Sequence, residues 1–229
     1  MRRKPEQLEL DRVRHGGRRP GAGRKPGPNP RIRHRSRERF TALLPCHVTL
    51  RVRSEVPSLR TARLVSEIER SFAKGCERED FRIVHYSIQG NHAHVIVEAA
   101  NRDALGRGMK AIGSRLARAV NRVFQSRGAV LADRYHVHVL RTPREVRNAL
   151  AYVLLNARKH AAKASRALSR AFAIDPASSG RWFEGWRRPV CEAGPAPPAR
   201  KPVATPRSWL LAIGWKRGGL LNPDAIPGR

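Results

Sequence analysis

The feature that most constrains this chain is a hydrophobic period that keeps changing between residues 42 and 165. Apolar residues alternate in some stretches and return every three or four positions in others, so strands and helices must take turns along one segment. Cys46–Val52 alternates and predicts a strand. Leu59–Lys74 puts Leu64, Val65, Ile68 and Phe72 on one helical face. Phe81–Ile88 predicts a second strand, and Gln89-Gly90-Asn91 a tight turn into a third, His92–Glu98. Asp103 is the predicted N-cap of a long helix through Met109, Ile112, Leu116, Val120 and Phe124. Tyr135–Arg141 reads as a fourth strand. Thr142-Pro143-Arg144-Glu145 then reads as a capped entry into a helix reaching about His160, with Ala157 letting it run on towards Lys163. The order βαββαβα predicts an α+β fold. Its first six elements form a ferredoxin-like split βαβ unit, with two helices on one face of an antiparallel sheet. The other face is left for the last helix and a ligand.

Charge says what kind of partner to expect. The 229 residues hold 47 Lys and Arg against 18 Asp and Glu, a formal charge of +29, which points to a polyanion. Residues 1–40 carry +10, 41–160 carry +11 and 161–229 carry +8. The first 41 residues are rich in Gly, Pro and Arg without apolar periodicity, a tail expected to order only on binding. Its Arg18-Arg19-Pro20 and Gly23-Arg24-Lys25-Pro26 runs suit either an extended arm in a narrow minor groove or a solvated polybasic tail with general phosphate affinity.

Beyond residue 165 the pattern degrades again. Ser178-Ser179-Gly180 and the Pro-rich run 194–206 read as linkers, and two aromatic islands, Trp182-Phe183 with Trp186 and Trp209 with Trp215, are expected to pack on the core. The chain therefore divides into a basic tail (1–41), a core domain (42–165) and a basic, Trp-containing extension (166–229). Cys46, Cys76 and Cys191 are odd in number and far apart, which leaves neither a disulfide framework nor a Cys-x-x-Cys zinc site and suits a reducing cytoplasm. No apolar run is long enough to cross a membrane, and the Arg-rich start lacks the apolar segment of a secretory signal.

Chemistry gathers in two places. On the third strand, alternation sets His92, His94 and Ile96 on one face and Ala93, Val95 and Val97 on the other, the valine face being the one packed on helices. Two imidazoles at alternate positions can converge on one divalent ion. His136 and His138 on the fourth strand alternate in the same way, and spacing alone leaves both pairs open. On the last helix, Val146, Leu150, Val153 and Ala157 form the buried stripe, while Tyr152 and Asn156 lie well off it and, at i and i+4, side by side. A tyrosine in that position belongs to a site rather than to the core. His47 and Thr49 share the face of His92 and His94 if registers align, open either to DNA contact or to buried hydrogen bonding.

Three blocks carry a family resemblance: Gly90-Asn91-His92-Ala93-His94-Val95-Ile96-Val97-Glu98, Arg134-Tyr135-His136-Val137-His138-Val139-Leu140-Arg141, and Tyr152-Val153-Leu154-Leu155-Asn156. In this order they resemble the signature blocks of single-tyrosine HUH transposases, the IS200-like domain, and most of all the REP-associated tyrosine transposases of bacteria. Gln89-Gly90 and Ala157 depart from that branch, which commonly has Met-Pro and Pro there; neither change removes a reactive group.

The resemblance implies a DNA transposase acting on single-stranded or hairpin DNA, with Tyr152 as nucleophile forming a 5′-phosphotyrosine. It also implies Mg²⁺ or Mn²⁺ held by His92, His94 and Asn156. In such sheets the fourth strand is at an edge, which favours the first histidine pair as ligands. Arg18, Arg19, Arg24 and Lys25 in the tail, with His136, His138 and Arg141, are the expected DNA contacts. A cytoplasmic, nucleoid-associated monomer or homodimer is the expected setting. The rival reading is a non-catalytic, domesticated protein that binds hairpin DNA or RNA, although the sheet lacks the aromatic run of RNA-recognition domains.

Overall fold

The computed structural model describes residues 38–163, 174–190 and 198–228. Arg18, Arg19, Arg24, Lys25 and Cys191 lie outside them. The core elements follow the expected order: β1 (Leu44–Arg51), α1 (Ala62–Ala73), β2 (Phe81–Ile88), β3 (His92–Ala99), α2 (Arg102–Val123), β4 (His136–Val139), α3 (Pro143–Leu154) and α4 (Asn156–Lys163). The strands form one antiparallel sheet in the order β2-β3-β1-β4, so the α+β, ferredoxin-like expectation holds and β4 is an edge strand.

Capping chemistry corrects two boundaries. Helix α1 begins at Ala62 rather than Leu59, because the Thr61 hydroxyl accepts from the Leu64 amide and fixes the first turn there. Asn101, not Asp103, caps α2: its Oδ1 accepts from the amides of Asp103 and Ala104, which moves Asp103 into the first turn. An acidic group there complements the positive end of the helix. Helix α3 starts as expected, with Thr142 and Glu145 in a reciprocal capping box and Pro143 in the first turn. It does not run on unbroken, however. Leu155 leaves helical geometry, and the expected single helix becomes α3 and α4, the second ending at Lys163.

Period two then sorts side chains onto two faces. Cys46, Val48 and Leu50 of β1, Val95 and Val97 of β3, and Ile83, Tyr86 and Ile88 of β2 pack against Leu64, Ile68 and Phe72 of α1 and Met109, Ile112 and Leu116 of α2. Each fully buried side chain of this size contributes roughly 1.5–3 kcal/mol, so this face carries much of the stability. The opposite face is only partly apolar. There Ile96 and Val84 meet Val146, Leu150 and Val153 of α3, and this second core is completed by Phe183, Leu211, Trp215 and Leu221.

Residues 37–229 cluster as one unit, and the described parts of 174–228 are built into it. Ser178 and Ser179, expected in a linker, are fully buried: the Ser179 hydroxyl accepts from the Tyr86 amide, donates to the Tyr86 carbonyl and meets His85 Nδ1. Of the Pro-rich run, Ala204 donates its amide to the Ile83 carbonyl, so this part also lies along β2. Glu98, with no exposed surface, receives the amides of Arg207 and Ser208 and the Ser208 hydroxyl, and Arg82 stands 3.5 Å away. Trp215 and Trp186 pack on the second core and Trp182 on the first, as expected, whereas Trp209 stays half exposed.

Candidate active site

The β1–β3 register pairs Thr49 with His94 and Arg51 with His92, and the β1–β4 register pairs His47 with His138 and Thr49 with His136. All these side chains therefore rise from the sheet face opposite α1 and α2. The two histidine pairs fare differently. His92 Nε2 and His94 Nε2 come within 3.1 Å of each other. His136 and His138 are exposed on the edge strand, and His138 faces His47.

Hydrogen bonds fix how the first pair is presented. His92 Nδ1 lies 2.8 Å from Asn91 Oδ1, an atom that only accepts, so Nδ1 carries the proton and Nε2 keeps its lone pair. His94 Nδ1 is held between Thr49 Oγ1 at 3.1 Å and His47 Nε2 at 3.2 Å, which leaves its Nε2 turned to His92. His47 and Thr49 thus orient His94 by hydrogen bonding, the second of the two roles left open for them. Burial, reinforced by the charges of His47, His92 and His160, pushes His94 down to about 3; burial and the charge of His138 push His47 down to about 4. His92 is lowered as well, by burial and then by His160 and Arg51. Neutral imidazoles at ordinary pH are the form that ligates metal.

Tyr152 reaches the same place from α3. Its ring stands edge-on to His94 at 5.1 Å between centroids and to His47 at 5.8 Å, with Lys159 Nζ 4.9 Å from its centre. Asn156, the first residue of α4, is 1% exposed, and neither its Oδ1 nor its Nδ2 has a hydrogen-bond partner. Buried polar groups without partners are rare in proteins and call for an explanation. Arg141, the remaining expected DNA contact, ion-pairs with Glu38 and gives its amide to Glu145, so it caps α3 as well as facing solvent.

The residues present fit a divalent ion. Adjacent nitrogens on an octahedral ion, each about 2.1 Å from it, stand about 3 Å apart, close to the His92–His94 spacing. The orphaned Asn156 oxygen is a further hard donor. Among the described residues no group of three or more His, Cys, Asp or Glu could hold a metal.

Lys159 and His160 were missed in the sequence. The signal was there: Asn156, Lys159 and His160 follow Tyr152 at i+4, i+7 and i+8, a single helical face.

Against known proteins, residues 41–154 match the model of the family described as transposase, IS200-like. The chain belongs to the IS200-like transposases. A REP-associated tyrosine transposase bound to a REP hairpin has a similar structure, with TM-score 0.52 and 16% identity over 77% of this chain and 100% of that one; the likeness concerns the fold. A Deinococcus radiodurans R1 structure ascribed to a transposase is more distant, at TM-score 0.36 and 14% identity over 59% of this chain and 99% of that one. Among curated proteins none matches the sequence. Among the described residues no helix of this transposase is long and apolar enough to cross a membrane.

Proposed function

We propose that this transposase cleaves and rejoins single-stranded DNA beside a hairpin, using Tyr152 as its nucleophile. The observation that carries the reading is the meeting of the Tyr152 ring with His94, whose Nε2 converges on that of His92. The Tyr152 oxygen attacks the scissile phosphorus, an O–P bond to tyrosine forms, and the bond from phosphorus to the 3′-oxygen breaks. The phenol gives up its proton and the leaving oxygen takes one up, which yields a 5′-phosphotyrosine and a free 3′-hydroxyl. Attack by another 3′-hydroxyl reverses the step, and the bond energy is conserved without ATP.

His92, His94 and Asn156 would hold Mg²⁺ or Mn²⁺, which when bound polarises the phosphate for attack. The rest of the site positions. Asn91 and the Thr49–His47 pair lock the two imidazoles with their Nε2 atoms inward. Lys159 offers a positive charge beside the tyrosine ring, where phosphate oxygens would lie. The charge of +29 suits a DNA partner, and the similar REP-associated protein was solved with a hairpin. Arg18, Arg19, Arg24 and Lys25, with His136, His138 and Arg141, would add backbone contacts.

The test is incubation with a hairpin carrying a single-stranded flank and Mn²⁺ or Mg²⁺. A covalent protein–DNA adduct mapping to the Tyr152 peptide is expected, and Tyr152→Phe should lose the adduct and strand cleavage together while still binding DNA. Full cleavage by the Phe variant, or an adduct on another residue, would overturn the reading. Tight hairpin binding by the wild type with no adduct under any metal would favour the domesticated binding protein.

A further inference from the structure

Between β2 and the C-terminal extension lies a cavity of about 260 Å³ that the tyrosine chemistry does not use. It belongs to the layer that also holds α3, because its walls share Val84, Phe183, Leu211 and Trp215 with the second core. A register shift between Ile83 and His85 breaks the alternation of β2 at this point. Ile83 and Tyr86 stay in the first core, and the consecutive Val84 and His85 both line the cavity. The extension supplies an exposed rim of Glu184, Lys201, Thr205 and Lys216.

Hydrogen bonding decides what His85 offers there. The Ser179 hydroxyl takes the Tyr86 amide on one lone pair and gives its single proton to the Tyr86 carbonyl, so His85 Nδ1, 3.2 Å away, donates to the remaining lone pair. Nε2 is then an acceptor. The side chain is 7% exposed, and Nε2 has no partner among the described residues. An acceptor so far from water calls for a ligand N–H. The remaining walls differ from it in kind. Phe183 and Trp215, with ring centroids 5.4 Å apart and planes 33° from parallel, present aromatic surface. Lys201 and Lys216, with no ion-pair partner among the described residues, set two positive charges at the mouth, and Lys216 Nζ stands 6.0 Å from the centre of the Trp215 ring. The volume falls below the roughly 300–1,000 Å³ of pockets for drug-sized ligands. A flat ring bearing an N–H, an anion close beside it and so small a space together describe a single nucleotide.

We propose that this cavity binds one nucleotide, its base inward against Phe183 and Trp215 with an N–H on His85 Nε2, and its phosphate between Lys201 and Lys216. An unpaired nucleotide of the DNA flank is one source and a free nucleotide the other. In the first case the extension anchors the single strand by a base while the tyrosine site acts on its phosphate, which rests on the function proposed above. In the second the cavity chemistry is the same and the tyrosine reading is not needed.

The experiment measures binding in EDTA, where no cleavage step intervenes, for the full-length wild type, Ala212→Phe and Lys201→Gln/Lys216→Gln. Ala212 is a half-buried residue of the cavity wall, so a ring there fills the space without removing a side-chain hydrogen bond. Fluorescent hairpins carry a single-stranded flank, intact or with one base removed at a time and the phosphates kept; free dAMP, dCMP, dGMP and dTMP are titrated by calorimetry. At one flank position the wild type should lose about 5-fold or more in affinity when the base goes, and Ala212→Phe should lose nothing there. The lysine variant, altered only at exposed residues, should weaken on the intact flank more than on the flank abasic at that position, because base and phosphate enter together. If wild-type DNA binding ignores every base while a free nucleotide binds and Ala212→Phe abolishes it, the occupant is the free nucleotide. Base sensitivity undiminished in Ala212→Phe, equal losses of the lysine variant on a base-sensitive pair of flanks, or no response to a base on either probe would overturn the proposal. Adduct formation with Mn²⁺ is scored separately: its absence removes the tyrosine reading alone, and base sensitivity that Ala212→Phe erases stands without it.

Discussion

The two faces of this sheet are made by the same strands and do opposite work. In β1, Cys46, Val48 and Leu50 are sealed under α1 and α2, while the residues between them, His47 and Thr49, form a polar relay to His94. In β3 the parity is reversed in number but not in sense: Val95 and Val97 are core, His92 and His94 are site. A one-residue slip of either strand would turn the histidines under α1 and α2 and the valines to the opposite face, so the core that stabilises the sheet also holds the register on which the site depends. The face towards α3 and α4 keeps Asn156, a buried amide whose two polar atoms have no hydrogen-bond partner. Packing decides one side and chemistry the other.

The largest expected effect breaks this comparison on the site side alone. His92→Ala/His94→Ala should abolish metal-dependent cleavage and leave the urea midpoint near that of the wild type, because neither side chain belongs to either apolar core. His136→Ala/His138→Ala should retain cleavage and weaken DNA binding modestly. The reverse pattern would give the metal to the edge strand. On the helical side, Phe72→Ala removes a fully buried ring that stands edge-on to Tyr86. It should lower stability by about 3–5 kcal/mol and leave the adduct yield per folded molecule unchanged, measured by denaturation alongside single-turnover cleavage.

Acid should expose the difference between faces next. His47, His85 and His94, all on the site side, are pushed down from 6.5 to about 4, 3 and 3, by burial in every case and for His47 and His94 also by neighbouring histidines. Above pH 6.5 these groups are neutral in both folded and unfolded chains and cost nothing. As pH falls from about 6.5 towards 3 the unfolded chain takes up protons that the folded one refuses, and stability declines by up to ~1.4 kcal/mol per unit for each histidine. Urea melts with chelator at pH 7.5, 6 and 5 should show a falling midpoint. A midpoint that stays level down to pH 5 would mean these imidazoles are hydrated.

How much of this was legible in the sequence depends on range. Alternation in β1 and β3 placed every core valine and both site histidines on the correct faces, because parity is a local property. The preference for His92 over His136 came from family resemblance; what the structure shows is that β3 is central and β4 is an edge, with its histidines exposed. The tail of the domain was harder. Ser178-Ser179-Gly180 has a linker's composition, yet its small side chains are what let it pack into β2 and Ile174, where a Cβ on Gly180 would come within 2.5 Å of the Ile174 side chain. Nor does a sequence show that Glu98 will receive the amides of Arg207 and Ser208 more than a hundred residues later.

The smallest effect is the sharpest test of the division, because stability and activity should move in opposite directions. Asn156 sits at the start of α4 with 1% exposure and two polar atoms that bond to nothing in the protein. Leaving a buried amide unsatisfied costs about 1–3 kcal/mol, a burden that a ligand role would explain and a packing role would not. Asn156→Leu nearly preserves volume and removes the unpaired groups. The metal-free variant should therefore melt higher than the metal-free wild type, with a gain of about 1 kcal/mol. Its cleavage rate should fall, and its affinity for Mn²⁺, read by calorimetry in the absence of DNA, should fall with it, so that raising Mn²⁺ restores part of the rate. A variant both destabilised and unimpaired in Mn²⁺ binding would make Asn156 a structural residue whose partner is a buried water, and would leave His92 and His94 as the whole of the protein's ligand set.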